Sequence, residues 1–404
     1  MSRNGIRHSS REVEMDRRLL TLSLGMFALG TDSFVFAGIL PEIAHTFGVS
    51  IGAAGQLISV YALSYALLGP TIAALAANVG RKRLLLSGIG LFVIANLGTI
   101  VAPNLGIALA TRALAGLGAA MFSPTASGTG AALVPPERRG YALSIIVAGL
   151  TTATALGSPI GAVIGGLAGW HWTLVLVVAL GAAAFFGILA FMPEVPLPPA
   201  ISLRERLSPL TDSRVGLTLT TTVLAQIGTF IIFSYFSVVF DRATGHSATV
   251  LGGLLVLWGL AGTFSNLLTG RILDRIGSHK VVLIKLAIVA LVIFTMPWTS
   301  AHLWSAAIAV TIWGACAWGV LVPQQFRLAS LNPPMTAVLV GLNTSATYVG
   351  VSIAGTLGAV VIPVTGSHNL GYLAAIPVVI AILVSGLATR RIASFAGSKS
   401  AVAA

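Results

Sequence analysis

The stretch GRILDRIGSHKVVL, residues 270–283, places a charged loop between two long apolar runs. At a shift of 197 residues it aligns with AALAANVGRKRLLL, residues 73–86, so that Gly277 falls on Gly80. With nearly the same shift, LGSPIGAV at 156–163 aligns with AGTLGAV at 354–360. Each match is short, but the two together indicate an internal duplication of the kind found in membrane proteins built from repeats.

The composition is that of a membrane protein. Of the 404 residues, 56% are hydrophobic and 8% are charged, whereas soluble domains carry roughly 25% charged residues. The mean hydropathy is +0.95. A bilayer core about 30 Å thick requires about 20 helical residues per crossing. Apolar runs of sufficient length cover approximately 18–41, 53–77, 83–102, 106–134, 140–167, 171–192, 214–240, 248–273, 281–299, 302–329, 335–363 and 369–389.

These twelve runs predict an all-α integral membrane protein with twelve transmembrane helices in two pseudo-symmetric halves of six. Residues 193–213, PEVPLPPAISLRERLSPLTDS, are rich in proline, which breaks helices, and end in a short charged segment. We therefore predict a first half at 1–192, a cytoplasmic linker at 193–213 and a second half at 214–404.

The net charge of +12 is distributed unevenly among the predicted loops. If the N-terminus is cytoplasmic, most Lys and Arg residues fall on the inner side, and the outer loops receive only Arg242. This positive-inside pattern predicts that both termini are cytoplasmic and that the bases contact anionic lipid head groups. It does not predict a nucleic-acid partner. The bases assigned to the inner side include Arg3, Arg7, Arg11, Lys285, Arg327 and Lys399.

The loop GRILDRIG at 270–277 resembles the signature cytoplasmic loop of the major facilitator superfamily, whose pattern is GxLaDrxG. The first half departs from that pattern, because Ala77 stands in place of the acid. The resemblance implies that charged residues at these loops lock the two halves together in an outward-open state. The alternative is a solvated cluster that only fixes topology. The residues concerned are Arg81, Lys82, Asp274 and Arg275.

Three further stretches resemble motifs of this superfamily in the correct order and topology. GTDSFVFAGILPEIA at 30–44 resembles the first-helix motif of twelve-helix drug:proton antiporters. RALAGLGAA at 112–120 resembles the fourth-helix motif, whose arginine is associated with proton coupling, and LGSPIGAVIGG at 156–166 resembles the fifth-helix motif of exporters. Related sugar and nucleoside exporters of bacteria share this architecture. The resemblance implies a hinge, with close packing of small residues as the alternative, at Gly157, Pro159, Gly161 and Gly165.

Asp32 is the only acid deep inside an apolar run, and Arg112 is the only comparably deep base. At 1.5 Å per residue, Asp32 lies about 13 Å from the predicted helix end at Pro41, and Arg112 lies about 10 Å deep. A charge there costs roughly 2.5 to 3.5 kcal/mol unless it faces a cavity or a partner. We therefore expect Asp32 to bind and release a proton beside Arg112. A static ion pair is one alternative, and Arg112 holding the fifth-helix motif through backbone carbonyls is another.

Aromatic and amide side chains on predicted helices 2, 7, 10 and 11 are candidates for the substrate cavity, although each could instead be a packing residue. A mostly apolar, aromatic pocket suits a neutral or lipophilic ligand. No deep charge is predicted in the second half, so proton handling is assigned to the first. The cavity candidates are Tyr61, Tyr65, Gln226, Phe230, Tyr235, Trp313, Trp318, Gln324, Asn343 and Tyr348.

The sequence contains no phosphate loop, catalytic triad or metal-ligand spacing, so we expect no enzyme, no cofactor and no bound metal. We predict a monomeric secondary transporter of the bacterial cytoplasmic (inner) membrane that exports a small organic molecule in exchange for protons, with the proton gradient as its energy source. An exporter of sugars or nucleosides, a passive facilitator and a non-transporting receptor stay open as alternatives. Solvated positions in outer loops are predicted for His45, His171, His246, His302 and His368.

Overall fold

The computed structural model describes residues 17–196 and 201–403, with only the backbone for 396–403. Within this part every regular element is helical, and twelve segments are long and apolar enough to span a membrane. The predicted fold class is confirmed. The spans are α1 (Arg17–Phe47), α2 (Ile51–Leu75), α3 (Arg81–Ile100), α4 (Leu105–Ala132), α5 (Pro136–Ala168), α6 (Trp170–Phe191), α7 (Ser213–Ser234), α8 (Ala248–Ile276), α9 (Ser278–Thr299), α10 (Leu303–Leu331), α11 (Pro333–Thr365) and α12 (Ser367–Phe395).

Capping residues and glycines set the ends of several spans. The side chains of Ser50 and Asn104 accept hydrogen bonds from backbone N–H groups in the first turns of α2 and α4, at 3.1 and 3.0 Å. The spans α5 and α8 end where Gly169 and Gly277 adopt φ values of 97° and 80°, a region that favours glycine. The chain therefore turns sharply between these spans and the next ones.

The linker at 193–213 contains a short helix, Leu203–Leu207, and its residues 197–200 lie outside the described part of the chain. At its end, Asp212 caps α7 by accepting a hydrogen bond from the backbone N–H of Arg214 at 2.8 Å. The Arg214 side chain also donates to this carboxylate, with Nη2 2.6 Å from Oδ2. These hydrogen bonds from Arg214 lower the pKa of Asp212 below its usual value of 3.8.

The first span does not end at Pro41 as predicted, since α1 continues to Phe47. Proline removes one helical hydrogen bond, but the neighbouring side chains of Leu40 and Ile43 are fully buried and hold the helix in place. Asp32 is consequently fifteen residues from either end of α1, a distance of about 22 Å at 1.5 Å per residue. The predicted depth was too small, and Asp32 lies at the middle of its span.

Two bases assigned to inner loops lie inside spans of the second half. Lys285 is seven residues into α9 and half-buried, and Arg327 of α10 is 4% exposed. The expectation that this half holds no deep charge was wrong, because hydropathy places helix ends only to within a few residues. The side chain of Lys399 lies outside the described residues, as do Arg3, Arg7 and Arg11, so the orientation of the termini stays a prediction.

The two halves, α1–α6 and α7–α12, meet through α2 with α11 and α5 with α8. We define the membrane face that carries the linker as the linker face and the opposite one as the far face. Near the far face, Gln56 Nε2 donates to the carbonyl of Gly355 at 3.5 Å, and its Oε1 accepts from Thr356 Oγ1 at 3.3 Å. A Cβ on Gly52 would collide with α11. The halves are therefore closed against each other at the far face.

Candidate functional site

Asp32 and Arg112 form a direct ion pair inside the first half. Arg112 Nη1 donates to Asp32 Oδ1 at 2.9 Å and to Oδ2 at 2.8 Å. The Asp32 side chain is 0% exposed and that of Arg112 is 1% exposed. The two charges thus lie at the same depth, as the sequence predicted. Their role in proton coupling stays a prediction.

Arg112 has further partners that hold its guanidinium in place. Its Nε donates to the carbonyl of Leu57 at 3.4 Å, and Nη1 donates to Asn96 Oδ1 at 3.4 Å. The guanidinium also lies over the rings of Phe36 and Tyr61, 4.2 and 4.4 Å from the centroids. The backbone carbonyl that Arg112 contacts therefore belongs to α2 and not to the fifth helix. These contacts can retain the cation when Asp32 is neutral.

Three predicted cavity tyrosines meet beside this ion pair. Tyr65 of α2 and Tyr348 of α11 stack with centroids 4.0 Å apart, and Tyr61 lies 6.5 Å from Tyr348. Tyr61 Oη accepts a hydrogen bond from Ser33 at 3.1 Å. Tyr61 and Tyr65 share one face of α2, as their spacing predicted. This face lies at the boundary between the two halves, next to the guanidinium of Arg112.

Three aromatic candidates of the second half, Phe230, Trp313 and Trp318, belong to a cluster into which one side chain of α1 inserts. Phe34 lies 6.4 Å from Phe230, 5.7 Å from Trp318 and 6.3 Å from Trp258. Trp258 was not predicted, because a tryptophan in an apolar helix carries no signal of the side it faces. Trp313 is fully buried, and its ring centroid lies 5.6 Å from that of Trp258. The cluster fills the space between the halves in this conformation.

Tyr235 and the amide candidates lie in different surroundings. Tyr235 is fully buried between α2 and α11, and its hydroxyl donates to the carbonyl of Gly355 at 2.6 Å. It therefore helps to seal the halves in this conformation and lines no open cavity. Gln226, Gln324 and Asn343 line a narrow cavity among α7, α9, α10 and α11. The structure thus separates the amide candidates from the aromatic ones.

The predicted hinge residues of α5 pack against α1 beside Asp32. A Cβ on Gly157 would collide with Thr31, and one on Gly161 would meet Val35. Gly165 faces Ile39 in the same way. Pro159 follows a π-helical turn, Ala153–Gly157, that interrupts the span; such turns are frequent at functional sites. The sequence carried no signal of this turn, and the hinge role stays a prediction.

The predicted gating residues do not bridge the halves in this conformation. Arg81 donates to the carbonyl of Gly128, and Lys82 Nζ donates to that of Leu189 at 3.0 Å, both within the first half. Asp274 and Arg275 are exposed at the end of α8. No ion pair between the halves occurs among residues 17–196 and 201–395.

One of the loop histidines has a partner that the sequence did not predict. His368 Nε2 lies 2.6 Å from Asp241 Oδ1, so it pairs with a carboxylate and is not a simple solvated loop residue. This contact joins the loop after α7 to the start of α12 at the far face. It adds to the closure of the second half at that face.

Comparison with known proteins places these features in a family. The family model of the Major Facilitator Superfamily matches residues 22–355. The chain belongs to the Major Facilitator Superfamily. Members of this superfamily are transporters and not enzymes, so the protein is a membrane transporter that binds small molecules and lipids.

Relatives within the Major Facilitator Superfamily are similar over most of their length. The chain is 30% identical over 372 residues to the inner membrane transport protein YdhP of Escherichia coli, covering 92% of this chain and 93% of that one. It is 28% identical over 370 residues to the uncharacterized MFS-type transporter YbcL of Bacillus subtilis, covering 91% and 94%. A probable sugar efflux transporter of Mannheimia succiniciproducens is 26% identical over 363 residues, covering 89% and 90%.

Proposed function

We propose that this transporter exports a small organic molecule from the bacterial cytoplasm in exchange for protons, with its linker face and both termini in the cytoplasm. The observation that carries the proposal is the fully buried Asp32–Arg112 pair at the middle of α1. Ionisable residues inside membrane spans are costly and mark ion pathways and proton relays. A monomer suffices, because both members of the pair lie in one chain.

The contacts around the pair suggest how a proton would act on it. Protonation of Asp32 removes the charge that attracts Arg112, while Leu57, Asn96 and the ring of Tyr61 keep the guanidinium in place. The attraction between α1 and α4 is then weakened without a buried cation being left bare. Moving one charge across 100 mV supplies about 2.3 kcal/mol. One proton can therefore drive the export of a solute against a substantial gradient.

The identity of the exported molecule has two candidates. A lipophilic, drug-like molecule suits the aromatic cluster around Phe34, Phe230 and Trp318. A sugar or nucleoside suits the amides of Gln226, Gln324 and Asn343, and one relative is named a probable sugar efflux transporter. A proton relay gives the buried carboxylate and its arginine partner a function that neither a passive facilitator nor a non-transporting receptor requires.

The experiment is uptake into inverted membrane vesicles for a panel of antibiotics, dyes and sugars, with and without a proton gradient. We expect uptake of at least one class to stop when the gradient is collapsed, and Asp32→Asn to abolish gradient-driven uptake while exchange survives. Glu137→Gln, which neutralises an exposed acid at the start of α5, is the matched control and should retain uptake. Full uptake by Asp32→Asn would identify a passive facilitator, and binding without flux would identify a receptor.

A further inference from the structure

A narrow cavity lies among α7, α9, α10 and α11 of the second half, away from the ion pair of the first. It has room for about one water molecule. Its polar wall consists of Thr222, Gln226, Thr229, Gln324 and Asn343. The rest of the lining is apolar and comes from α7, α9 and α10. The cavity is thus lined by polar residues on one side and by apolar residues on the other.

Donors and acceptors in the polar wall follow from chemistry. A guanidinium has no acceptor, so Arg327 Nη1 donates to Gln324 Oε1 at 3.3 Å. Gln324 Nε2 therefore donates, to the carbonyl of Thr218 at 3.1 Å and to Thr222 Oγ1 at 3.2 Å. The Thr222 hydroxyl then donates to Asn343 Oδ1 at 2.8 Å. Both carboxamides are held in one orientation by this chain.

The last member of this hydrogen-bond chain is Asn343, and its Nδ2 is the free end. Asn343 is 0% exposed, it lines the cavity, and its Nδ2 has no hydrogen-bond partner in the described part of the chain. Buried donors without an acceptor are rare because they forfeit their hydration. If the amide turned, the Thr222 hydroxyl would have to donate to the carbonyl of Thr218 at 3.5 Å in place of Asn343 Oδ1 at 2.8 Å, so the shorter hydrogen bond favours the orientation with Nδ2 toward the cavity. The cavity therefore offers an N–H donor to whatever enters it.

The other end of this hydrogen-bond chain is a buried positive charge that has no counter-ion among the described residues. Arg327 is 4% exposed, and its partners are Gln324, Ser385 Oγ at 3.0 Å and Thr389 Oγ1 at 3.2 Å, all of them neutral. Within the described spans of the second half the only acid is Asp274, which is exposed at the linker-face end of α8. The half-buried Lys285 adds to the imbalance. This region is therefore electropositive in a medium of low dielectric constant, where unbalanced charge acts strongly.

We propose that this cavity binds the anionic group of the exported molecule, a carboxylate on an otherwise apolar body, with Asn343 Nδ2 donating to the anion and Arg327 supplying the balancing charge through Gln324 and Thr222. The inference rests on the proposed export function and names its substrate class. It changes the sequence-based expectation of a neutral or lipophilic ligand, which was based on a mostly apolar, aromatic pocket. In this conformation the cavity has room for only one carboxylate oxygen in place of the water, so its apolar wall must move outward to admit the rest of the molecule.

Binding of benzoate, a small aromatic carboxylate, tests the site directly, with benzamide as its uncharged counterpart. Equilibrium dialysis of the labelled compounds against the whole purified protein in detergent, with empty micelles subtracted, measures binding without transport. We expect saturable benzoate binding at least tenfold tighter than benzamide binding. Asn343→Asp keeps the shape of the side chain but replaces the donor by a like charge, and should weaken benzoate binding at least tenfold.

Three further variants separate the site from folding and from proton coupling. Arg327→Gln removes the charge and should lose the preference for benzoate over benzamide. Thr311→Val, in α10 but outside the lining of the cavity, should retain that preference, as should Asp32→Asn in the first half. Equal binding of benzoate and benzamide by the wild type, or unchanged benzoate binding in both Asn343→Asp and Arg327→Gln, overturns the inference. If the protein binds benzoate selectively but a proton gradient drives no uptake into the vesicles, the antiport proposal is overturned. The anion site is then retained.

Discussion

Tyr65 of α2 stacks on Tyr348 of α11 with ring centroids 4.0 Å apart, one turn of α2 from Tyr61, whose ring faces the guanidinium of Arg112 at 4.4 Å. The stacked rings that join the halves are thus connected through α2 to the residues that hold Arg112. A shift of Arg112 relative to α2 would disturb the stacked rings, and separation of the rings would disturb Arg112. The closure between the halves and the ion pair are therefore mechanically linked.

Closure at the far face predicts cross-linking between the halves. Gln56→Cys and Thr356→Cys replace side chains that are 3.3 Å apart, in a Cys316→Ser background that removes the single native cysteine. We expect a short bifunctional thiol reagent to join the two positions and to stop gradient-driven uptake, and a reducible version to release it after reduction. Each single-cysteine protein should keep its activity after the same treatment. Full activity of the cross-linked protein would contradict a cycle that opens this face.

The buried ion pair predicts a non-additive effect on stability. Arg112→Ala leaves the carboxylate of Asp32 buried without its partner, which should lower the free energy of unfolding by about 3–5 kcal/mol. The double variant Asp32→Asn/Arg112→Gln removes both charges and should recover most of that loss. Thermal unfolding in mild detergent, followed by tryptophan fluorescence, measures the difference. Equal losses in the single and the double variant would show that charge burial is not the cause.

The packing of α5 on α1 predicts a strong effect of one added methyl group. Gly157→Ala places a Cβ against Thr31, and such overpacking costs about 1–3 kcal/mol. Gly216→Ala in α7 is the matched control, because no atom lies within 4 Å of its added Cβ and alanine favours a helix by up to about 1 kcal/mol. Melting temperatures of the two variants should therefore move in opposite directions. An unchanged melting temperature of Gly157→Ala would show that α1 and α5 can move apart at little cost in free energy.

The cap of α7 predicts a pH dependence outside the membrane. Because the pKa of Asp212 is lowered in the folded chain, its contribution to stability is complete above its ordinary value of 3.8 and is lost as the pH falls through the lower, folded value. Asp212→Asn keeps a cap but cannot ionise. The wild type should therefore melt at a higher temperature than Asp212→Asn at neutral pH, and the gap should narrow as the pH falls below 3.8. Asp212→Ala should lose about 0.5–2 kcal/mol at neutral pH.

The membrane fold and the two deep charges could be predicted because both depend on contrast along the chain, whereas their direct pairing stayed open. Runs of about 20 apolar residues predict spans, and Asp32 and Arg112 are visible as charges within such runs. The end of α1 could not be predicted, because whether a helix continues past Pro41 depends on the packing of Leu40 and Ile43. Similarly, the positions of Lys285 and Arg327 near span ends concealed their burial.

Contacts between helices were beyond the sequence for a different reason. Every apolar helix in this chain carries aromatic residues, and those that face the other half look the same as those that face lipid. Phe34 and Trp258 were therefore missed, while Trp313 and Tyr235 were grouped with cavity residues although both are fully buried. The orientation of Asn343 depends on hydrogen bonds to residues more than a hundred positions away, such as Thr222. No local pattern encodes such a pairing.

Lys285 gives the interruption of α10 its chemical basis. The span α10 consists of two helical segments, Leu303–Trp318 and Leu321–Leu331, and the carbonyls in the last turn of the first segment have no helical partner. Lys285 Nζ donates to one of them, that of Ala315, at 3.3 Å, and to Ser265 Oγ at 2.7 Å. Inside a bilayer a bare carbonyl finds no water. In a relative whose tenth helix is unbroken, these carbonyls accept hydrogen bonds within the helix and do not require the lysine. We therefore expect each relative to have either both the lysine and the interruption or neither of them.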